Sequence, residues 1–189
     1  MPNIHNYQTT KRKLKRTTLL LESLSLFRLV LICVVLFLIV INCFVRPTYV
    51  NGSSMYPLLK DGEIGITNII GIYIDDVERF DVVSVYDQHE NKNLIKRVIG
   101  LPNETLEYKN GILYINGKKV KEDFLDKTYV KKQTNNGKIP YTTDYGPITL
   151  KDDEYFLCGD NRRISKDSRE SGPFEKEQII GKDFFILFH

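Results

Sequence analysis

The chain of 189 residues is poor in the side chains that build disulfide frameworks and metal sites, with three cysteines, three histidines and no tryptophan. Cys33 and Cys43 lie inside one long apolar run, so Cys158 is alone in the rest of the chain and has no partner for an intramolecular disulfide there. The cysteines show no zinc-binding spacing, and the histidines are spread from His5 to His189. We therefore expect no metal site.

A net positive charge is also missing from most of the chain. The formal net charge is +3, from 27 Lys and Arg against 24 Asp and Glu. Residues 1–45 carry six Lys or Arg and one Glu, a balance of +5, while residues 46–189 carry 21 against 23, a balance of −2. A nucleic-acid-binding domain concentrates basic residues on the surface that contacts phosphates. The nearly neutral body therefore argues against a nucleic-acid partner.

The apolar run extends over residues 24–45 and contains a single charged residue, Arg28. Its 22 residues would form roughly 33 Å of helix at about 1.5 Å per residue, enough to cross a hydrocarbon core about 30 Å thick. Arg28 and Asn42 lie near the two ends, where a polar side chain is tolerated because it can reach the headgroups. We predict one transmembrane helix over residues 24–45.

The charges on either side of the run predict its direction. Five basic residues precede it, and only Arg46 follows closely; the five are Lys11, Arg12, Lys13, Lys15 and Arg16. The positive-inside rule then makes residues 1–23 a cytoplasmic tail and residues 46–189 an extracytoplasmic domain in the cell membrane. The alternative is a cleaved signal peptide, but residues 42–47 contain no small-x-small cleavage site. We favour a retained, single-pass anchor.

The body consists of short apolar blocks rich in Val, Ile, Tyr and Phe, separated by Gly, Asn, Asp and Pro, which is typical of an all-β domain. The blocks are residues 63–67, 82–86, 94–99, 112–115, 154–157 and 184–188. Asn116-Gly117 suits a two-residue hairpin turn, because both central positions of that turn need positive φ. Residues 103–150 are more polar, and we interpret them as an insertion, a flexible loop or a subdomain.

Two residues of the body are candidates for nucleophilic catalysis. Ser54 lies in Gly-Ser-Ser-Met-Tyr-Pro, and a serine hydroxyl needs a base to remove its proton. A lysine base needs its pKa lowered by roughly three units, at a cost of about 4 kcal/mol. Lys96 lies among apolar residues of a predicted strand, where burial could do this. Taken singly, the serine is typical of a turn and the lysine of a solvent-facing strand position.

A third run, Gly159-Asp160-Asn161-Arg162-Arg163-Ile164-Ser165-Lys166-Asp167-Ser168-Arg169, follows a predicted strand. The three runs together resemble the type I signal peptidase family in its bacterial Ser/Lys form, the leader peptidases. The matching segments are Ser54-Met55-Tyr56-Pro57, Phe80-Asp81-Val82-Val83, Lys96 in KRVIGLP, and the GDNR run with Ser165 and Asp167-Ser168-Arg169. The resemblance extends from Pro47 to Pro173.

The resemblance implies one membrane helix followed in the sequence by an antiparallel-sheet catalytic domain that needs no cofactor. It makes Ser54 the nucleophile and Lys96 the general base, and Ser165 the hydroxyl that hydrogen-bonds the lysine ammonium. It also implies two structural ion pairs: Asp160 with Arg97, and Asp167 with Arg169.

The implied substrate is the signal peptide of an exported preprotein with small residues at the first and third positions before the cleaved bond. The bilayer holds the apolar part of that peptide beside a tethered enzyme. The peptide would pair as a strand along residues 50–54 and 93–96. Residues matching the pocket walls of the family are Val50, Met55, Leu59, Leu94 and Ile95.

The sequence departs from the family pattern at one position, and it is also compatible with other functions. Gly52 stands where some relatives carry a hydroxyl that binds the oxyanion, so the second oxyanion donor is unassigned, and Ser53 is either a substitute or a turn residue. A self-cleaving repressor also resembles this fold, but the anchor argues against it. A specialised peptidase with few substrates, or a non-catalytic assembly chaperone for surface proteins such as pilus components, is the alternative function.

Overall fold

The computed structural model describes residues 4–88 and 90–188, with side chains from 18 onward except at Cys43 and His89. The first three residues of the predicted tail, together with His89 and His189, lie outside the described residues. The chain divides into two units, Met1–Cys43 and Phe44–His189.

The first unit is dominated by one helix, α1 (Ile4–Phe44). Its segment Thr18–Asn42 has a mean hydropathy of 3.1 and, by length and composition, can cross a membrane. Polar side chains in this segment bond to carbonyls of the helix itself; the Asn42 amide, for example, donates to Leu38 O at 2.8 Å. Such internal bonds suit an apolar surrounding that offers no other acceptor. The predicted span 24–45 overlaps this segment, and Val45 begins the first strand.

The second unit is built mainly from strands. They are β1 (Val45–Tyr49), β2 (Ile64–Asn68), β3 (Val82–Asp87), β4 (Lys92–Gly100), β5 (Thr105–Lys109), β6 (Ile112–Ile115), β7 (Lys118–Val120), β8 (Tyr145–Thr149), β9 (Glu154–Cys158), β10 (Phe174–Glu175) and β11 (Ile179–Phe188). Helix is confined to α2 (Gly71–Ile74), α3 (Lys127–Gln133), α4 (Ser168–Ser171) and a 3₁₀ turn (Lys176–Gln178) among the described residues of this unit. The predicted all-β class is confirmed.

The strands form two antiparallel sheets. The larger has the order β1-β2-β11-β3-β4-β9-β10, and the smaller has the order β7-β6-β5-β8. In the larger sheet, β3 pairs with β4 over its whole length, from Val82 opposite Arg97 to Asp87 opposite Lys92. On the other side of β4, β9 pairs only from Arg97 onward. The segment 92–96 of β4 therefore has one edge without a strand partner among the described residues.

The polar region 103–150 contains the smaller sheet and α3. Its β6–β7 hairpin turns at Asn116 and Gly117 with φ of 51° and 75°, which confirms the predicted turn. Helix α3 begins after Asp126, whose side chain accepts a hydrogen bond from Tyr129 N at 2.6 Å as an N-cap. The composition of this helix is too polar to have indicated it.

Three groups of buried side chains hold the second unit together. One lies on β3, β4, β9 and β11 and includes Val83 and Val98. A second joins the two sheets, because Leu106 and Leu113 of the small sheet pack with Phe156 of β9. The third, Val50, Met55 and Leu59, lies beside the segment that carries Ser54.

Candidate active site

Ser54 is half-buried in the loop that follows β1. Hydrogen bonds at Val50, to Glu63 O at 2.8 Å and from Gly62 N at 3.0 Å, extend the β1–β2 ladder up to this loop. The chain then turns at Gly52, where φ is +92°, and the Gly52 N–H donates to Asp61 Oδ1 at 2.7 Å. The ladder and this turn position Ser54.

Lys96 lies in the middle of β4 opposite Val83, and only 2% of its surface is exposed. Burial lowers the pKa of the Lys96 ammonium, and the nearby carboxylate of Asp167 opposes this only in part. Among the described residues, no hydrogen bond or ion pair holds the ammonium. This environment favours the neutral amine, which is the form that can accept a proton.

Ser54 and Lys96 line one cavity of about 650 Å³. Its wall is completed by the β3–β4 turn and by the last motif, including Asp167. No hydrogen bond joins Ser54 to Lys96 within the described residues. Catalytic hydrogen bonds are often formed only when substrate is bound, so the shared cavity is the relevant feature of this geometry.

The last motif leaves β9 and runs directly against the serine loop. A Cβ atom on Gly159 would lie 2.3 Å from Ser165 Oγ and 2.4 Å from Ser54 O, so only glycine fits there. Asn161 donates twice to the loop, from its N–H to Ser54 O at 2.9 Å and from Nδ2 to Ser53 O at 3.1 Å. Asn161 lies in the GDNR run, but nothing in the sequence predicted a role for it.

Ser165 departs from the expectation. Its hydroxyl is buried and makes no hydrogen bond within the described part of the chain. The predicted bond to the Lys96 ammonium is therefore absent from this structure. A buried hydroxyl without a hydrogen-bond partner costs free energy.

Both predicted ion pairs are present and buried. Arg97 donates to the two carboxylate oxygens of Asp160 at 2.8 and 2.7 Å. Arg169 does the same to Asp167 at 2.8 and 2.9 Å, and Gly159 N adds a bond at 3.0 Å to Asp167. Burial alone would raise the pKa of Asp167, but the bonds and charge of Arg169 hold this pKa below its ordinary value. Arg97–Asp160 connects β4 to the motif that frames the cavity, and Arg169–Asp167 lies within that motif.

Arg162 is a structural residue that sequence reasoning missed. Its guanidinium is fully buried, pairs with Glu122 at 2.6 Å and donates to Tyr108 Oη at 2.9 Å and Thr142 Oγ1 at 3.1 Å. Its Nε also donates to Gly159 O at 3.0 Å. The arginine thereby ties the smaller sheet to the loop beside Ser54. Nothing in the sequence distinguished it from the adjacent Arg163, which is exposed.

A second, smaller cavity of about 260 Å³ is also lined by the serine loop. It is bounded by residues 46–52 and 93–95 and is lined by four of the five predicted pocket residues: Val50, Met55, Leu94 and Ile95. Ser54 lines this cavity as well. Leu59 lies in the core group with Val50 and Met55 and lines neither cavity.

Known proteins resemble this chain in sequence and in fold. A solved structure of a signal peptidase I from Enterococcus faecalis V583 matches with a TM-score of 0.50 and 32% identity, covering 58% of this chain and 98% of that one. Signal peptidase I of Bacillus amyloliquefaciens is 42% identical over 160 residues, 84% of each chain. Signal peptidase I T of Bacillus subtilis (strain 168) is 38% identical over 184 residues, 97% of this chain and 93% of its own length. The family model "Signal peptidase, peptidase S26" matches residues 23–188, so the chain belongs to the signal peptidase family, peptidase S26.

Proposed function

We propose that this chain is a membrane-anchored serine endopeptidase that removes signal peptides from exported preproteins, with Ser54 as nucleophile and Lys96 as general base. Membership of the signal peptidase family supports the activity. The observation that carries the residue assignment is the cavity that Ser54 shares with a lysine that is buried and unpaired among the described residues. A buried amine with a lowered pKa is the kind of base that a serine hydroxyl needs near neutral pH.

The reaction follows from these roles. Neutral Lys96 accepts the hydroxyl proton of Ser54 while Ser54 Oγ attacks the scissile carbonyl carbon. The Ser54 N–H would donate to the oxyanion that forms, and the protonated lysine then gives its proton to the leaving amine. Water activated by Lys96 hydrolyses the acyl-enzyme and regenerates Ser54. Ser165 would accept a hydrogen bond from the ammonium in the protonated steps.

The two predicted ion pairs stabilise the structure around this site. The pair Arg97–Asp160 joins β4 to the last motif and so fixes the lysine strand against the motif that contacts the serine loop. The pair Arg169–Asp167 lies within the last motif and fixes its shape. Because these charges are almost fully buried and bonded to each other, their effect on the reaction is structural.

The substrate would enter as an extended strand. The unpaired edge of β4 at residues 92–96 offers backbone hydrogen bonds, and the smaller cavity lies between this edge and residues 46–52. This is the arrangement of strand addition, in which the backbone gives affinity and pockets select side chains. The smaller cavity, of about 260 Å³, combines apolar side chains with polar residues such as Asn51 and Asn93, and we propose that it receives side chains of the peptide before the cleaved bond.

The membrane places enzyme and substrate together. The apolar segment Thr18–Asn42 would hold the catalytic domain at the bilayer surface. The basic residues before this segment favour a cytoplasmic N-terminus and an extracytoplasmic Ser54.

Replacing the nucleophile tests the proposal directly. We expect the full-length Ser54→Ala variant in detergent to lose at least about 1,000-fold in the cleavage rate of a preprotein with alanine at positions −1 and −3. The measurement is the rate of product formation, with the cut site read by mass spectrometry. Thr149→Ala removes an exposed hydroxyl of the smaller sheet and should cleave at the parental rate. Parental cleavage by Ser54→Ala would remove Ser54 from the mechanism.

A further inference from the structure

The peptide group between Ser53 and Ser54 is held on one side by the last motif. Ser53 O accepts hydrogen bonds from Asn161 Nδ2 at 3.1 Å and from Tyr56 N at 3.2 Å. The next carbonyl, Ser54 O, accepts from Asn161 N at 2.9 Å. Only 4% of the Asn161 surface is exposed. Water therefore does not compete for its hydrogen bonds to two successive carbonyls of the nucleophile loop.

Because a peptide bond is planar, hydrogen bonds that fix its carbonyl also fix the orientation of its N–H. The Ser53–Ser54 peptide is trans, so its carbonyl and its N–H point in opposite directions within one plane. Fixing Ser53 O therefore fixes the direction of the Ser54 N–H. A hydrogen bond to the carbonyl also polarises the amide, which makes its N–H a better donor.

The Ser54 N–H is available as a hydrogen-bond donor. It makes no hydrogen bond within the part of the chain that the structure describes. Gly52, two residues before Ser54, has φ of +92° and open space where a Cβ would be, and its N–H donates to Asp61 Oδ1 at 2.7 Å. The Ser53–Ser54 peptide is restrained by its hydrogen-bond partners. Among the described residues, the side-chain donor to this peptide is the Asn161 amide.

We propose that Asn161 is a positioning residue that aims the Ser54 N–H at the oxyanion of the acyl-transfer step. The assignment rests on the proposed peptidase activity. A carbonyl oxygen only accepts hydrogen bonds, so the side-chain atom facing Ser53 O must be the NH₂ group. An aspartate of the same shape cannot supply that donor, which gives a precise chemical contrast.

The test compares full-length Asn161→Asp and Asn161→Ala with the parent, with rates referred to the folded fraction measured by circular dichroism. We expect kcat to fall about 10- to 100-fold, as for a misaligned oxyanion donor, while KM changes less than about 3-fold. Tyr141→Phe is the matched control, because it removes a buried bond of 2.7 Å to the Asp160 carbonyl of the same motif and leaves Ser53 O untouched. This control should stay within about 3-fold of the parental kcat.

A second readout separates aiming of the donor from general loosening of the site. A peptide aldehyde is attacked by Ser54 Oγ, with the hydroxyl proton passing to Lys96, and the resulting adduct carries an oxygen where the oxyanion forms. The corresponding peptide alcohol binds without that bond. We expect both Asn161 variants to weaken aldehyde binding in proportion to the fall in kcat and to leave alcohol binding unchanged.

Equal weakening of aldehyde and alcohol, or an Asn161→Asp variant with the parental kcat, would overturn the inference. Either result leaves the proposed peptidase intact provided that the parent cleaves the preprotein. Failure of the parent itself to cleave would instead count against the proposed function.

Discussion

Two lysines of the larger sheet, Lys96 on β4 and Lys182 on β11, lie on either side of the same residue, Val83. Both are buried, with 2% and 7% of their surface exposed. Lys182 Nζ donates to Asp76 O at 3.2 Å and lies 4.0 Å from the carboxylates of Asp75 and Asp81. Lys96 has no such partner among the described residues, and burial lowers its pKa.

The contrast shows that burial in a sheet does not by itself make a lysine a base. The carboxylate that most raises the pKa of Lys96 is Asp167, and this carboxylate is already bonded by Arg169 and by Gly159 N. The Arg169–Asp167 pair thus occupies the carboxylate that acts most strongly on Lys96. At Lys182, by contrast, a carbonyl and two carboxylates face the ammonium.

The largest difference between the two lysines should appear in the reaction rate. We expect Lys96→Ala to lower kcat/KM by about 10³- to 10⁴-fold, because the general base is removed. Lys182→Ala should change it less than about 3-fold, since Lys182 lines neither cavity of the site. The measurement is preprotein cleavage at saturating and limiting substrate. Similar losses in the two variants would show that burial, and not base chemistry, explains the effect.

The pH dependence sharpens the comparison. Because only neutral Lys96 accepts a proton, kcat/KM should fall as the pH drops through the lowered pKa of Lys96. The Asp167 charge raises that pKa, so Asp167→Asn should move this acidic limb to lower pH in the protein that remains folded. Asp75→Asn, beside Lys182, is the control and should leave the limb in place. A limb that stays put in Asp167→Asn would point to another titrating group.

The smallest expected effect is on stability. The folded-state pKa of Lys96 lies below its ordinary value of 10.5, so between these two values the unfolded chain binds more protons and folding is penalised as the pH falls. Lys96→Met should therefore raise the free energy of unfolding at pH 7 by about 1 kcal/mol, or roughly 3 °C in Tm. The gain should shrink as the pH rises towards 10.5.

Lys182→Met provides the opposite expectation. It removes an ammonium that is bonded to Asp76 O and should lower the free energy of unfolding by about 1 kcal/mol. Thermal unfolding of the two variants across pH measures both effects. A loss of stability in Lys96→Met at neutral pH would contradict the view that its ammonium is unfavourable in the fold.

Elements of the fold that depend on local pattern were predictable. The β6–β7 hairpin follows from Asn116-Gly117, and β3, β4 and β9 are short apolar blocks. Strands β1 and β8 gave no signal, because each is mostly exposed and contains a proline, Pro47 or Pro147. Their pairing with β2 and β5 is decided by partners elsewhere in the chain.

The candidate site divides in the same way. The motifs predicted Ser54, Lys96 and the two buried ion pairs. They did not predict the bond of Asn161 to Ser53, 108 residues away, or that of Arg162 to Glu122, 40 residues away. Such contacts leave no spacing pattern in the sequence. The predicted Lys96–Ser165 bond is absent from this structure, because the hydroxyl of Ser165 is buried without a partner among the described residues.

Composition, two-residue periodicity and short motifs were enough to predict an apolar helix long enough for a membrane, a β-rich body, and the chemical types of the reacting side chains. Which of the two buried lysines is unpaired among the described residues depends instead on how the strands and loops pack. The lowered pKa of Lys96 depends on its burial and on charges brought close by strands and loops distant along the chain.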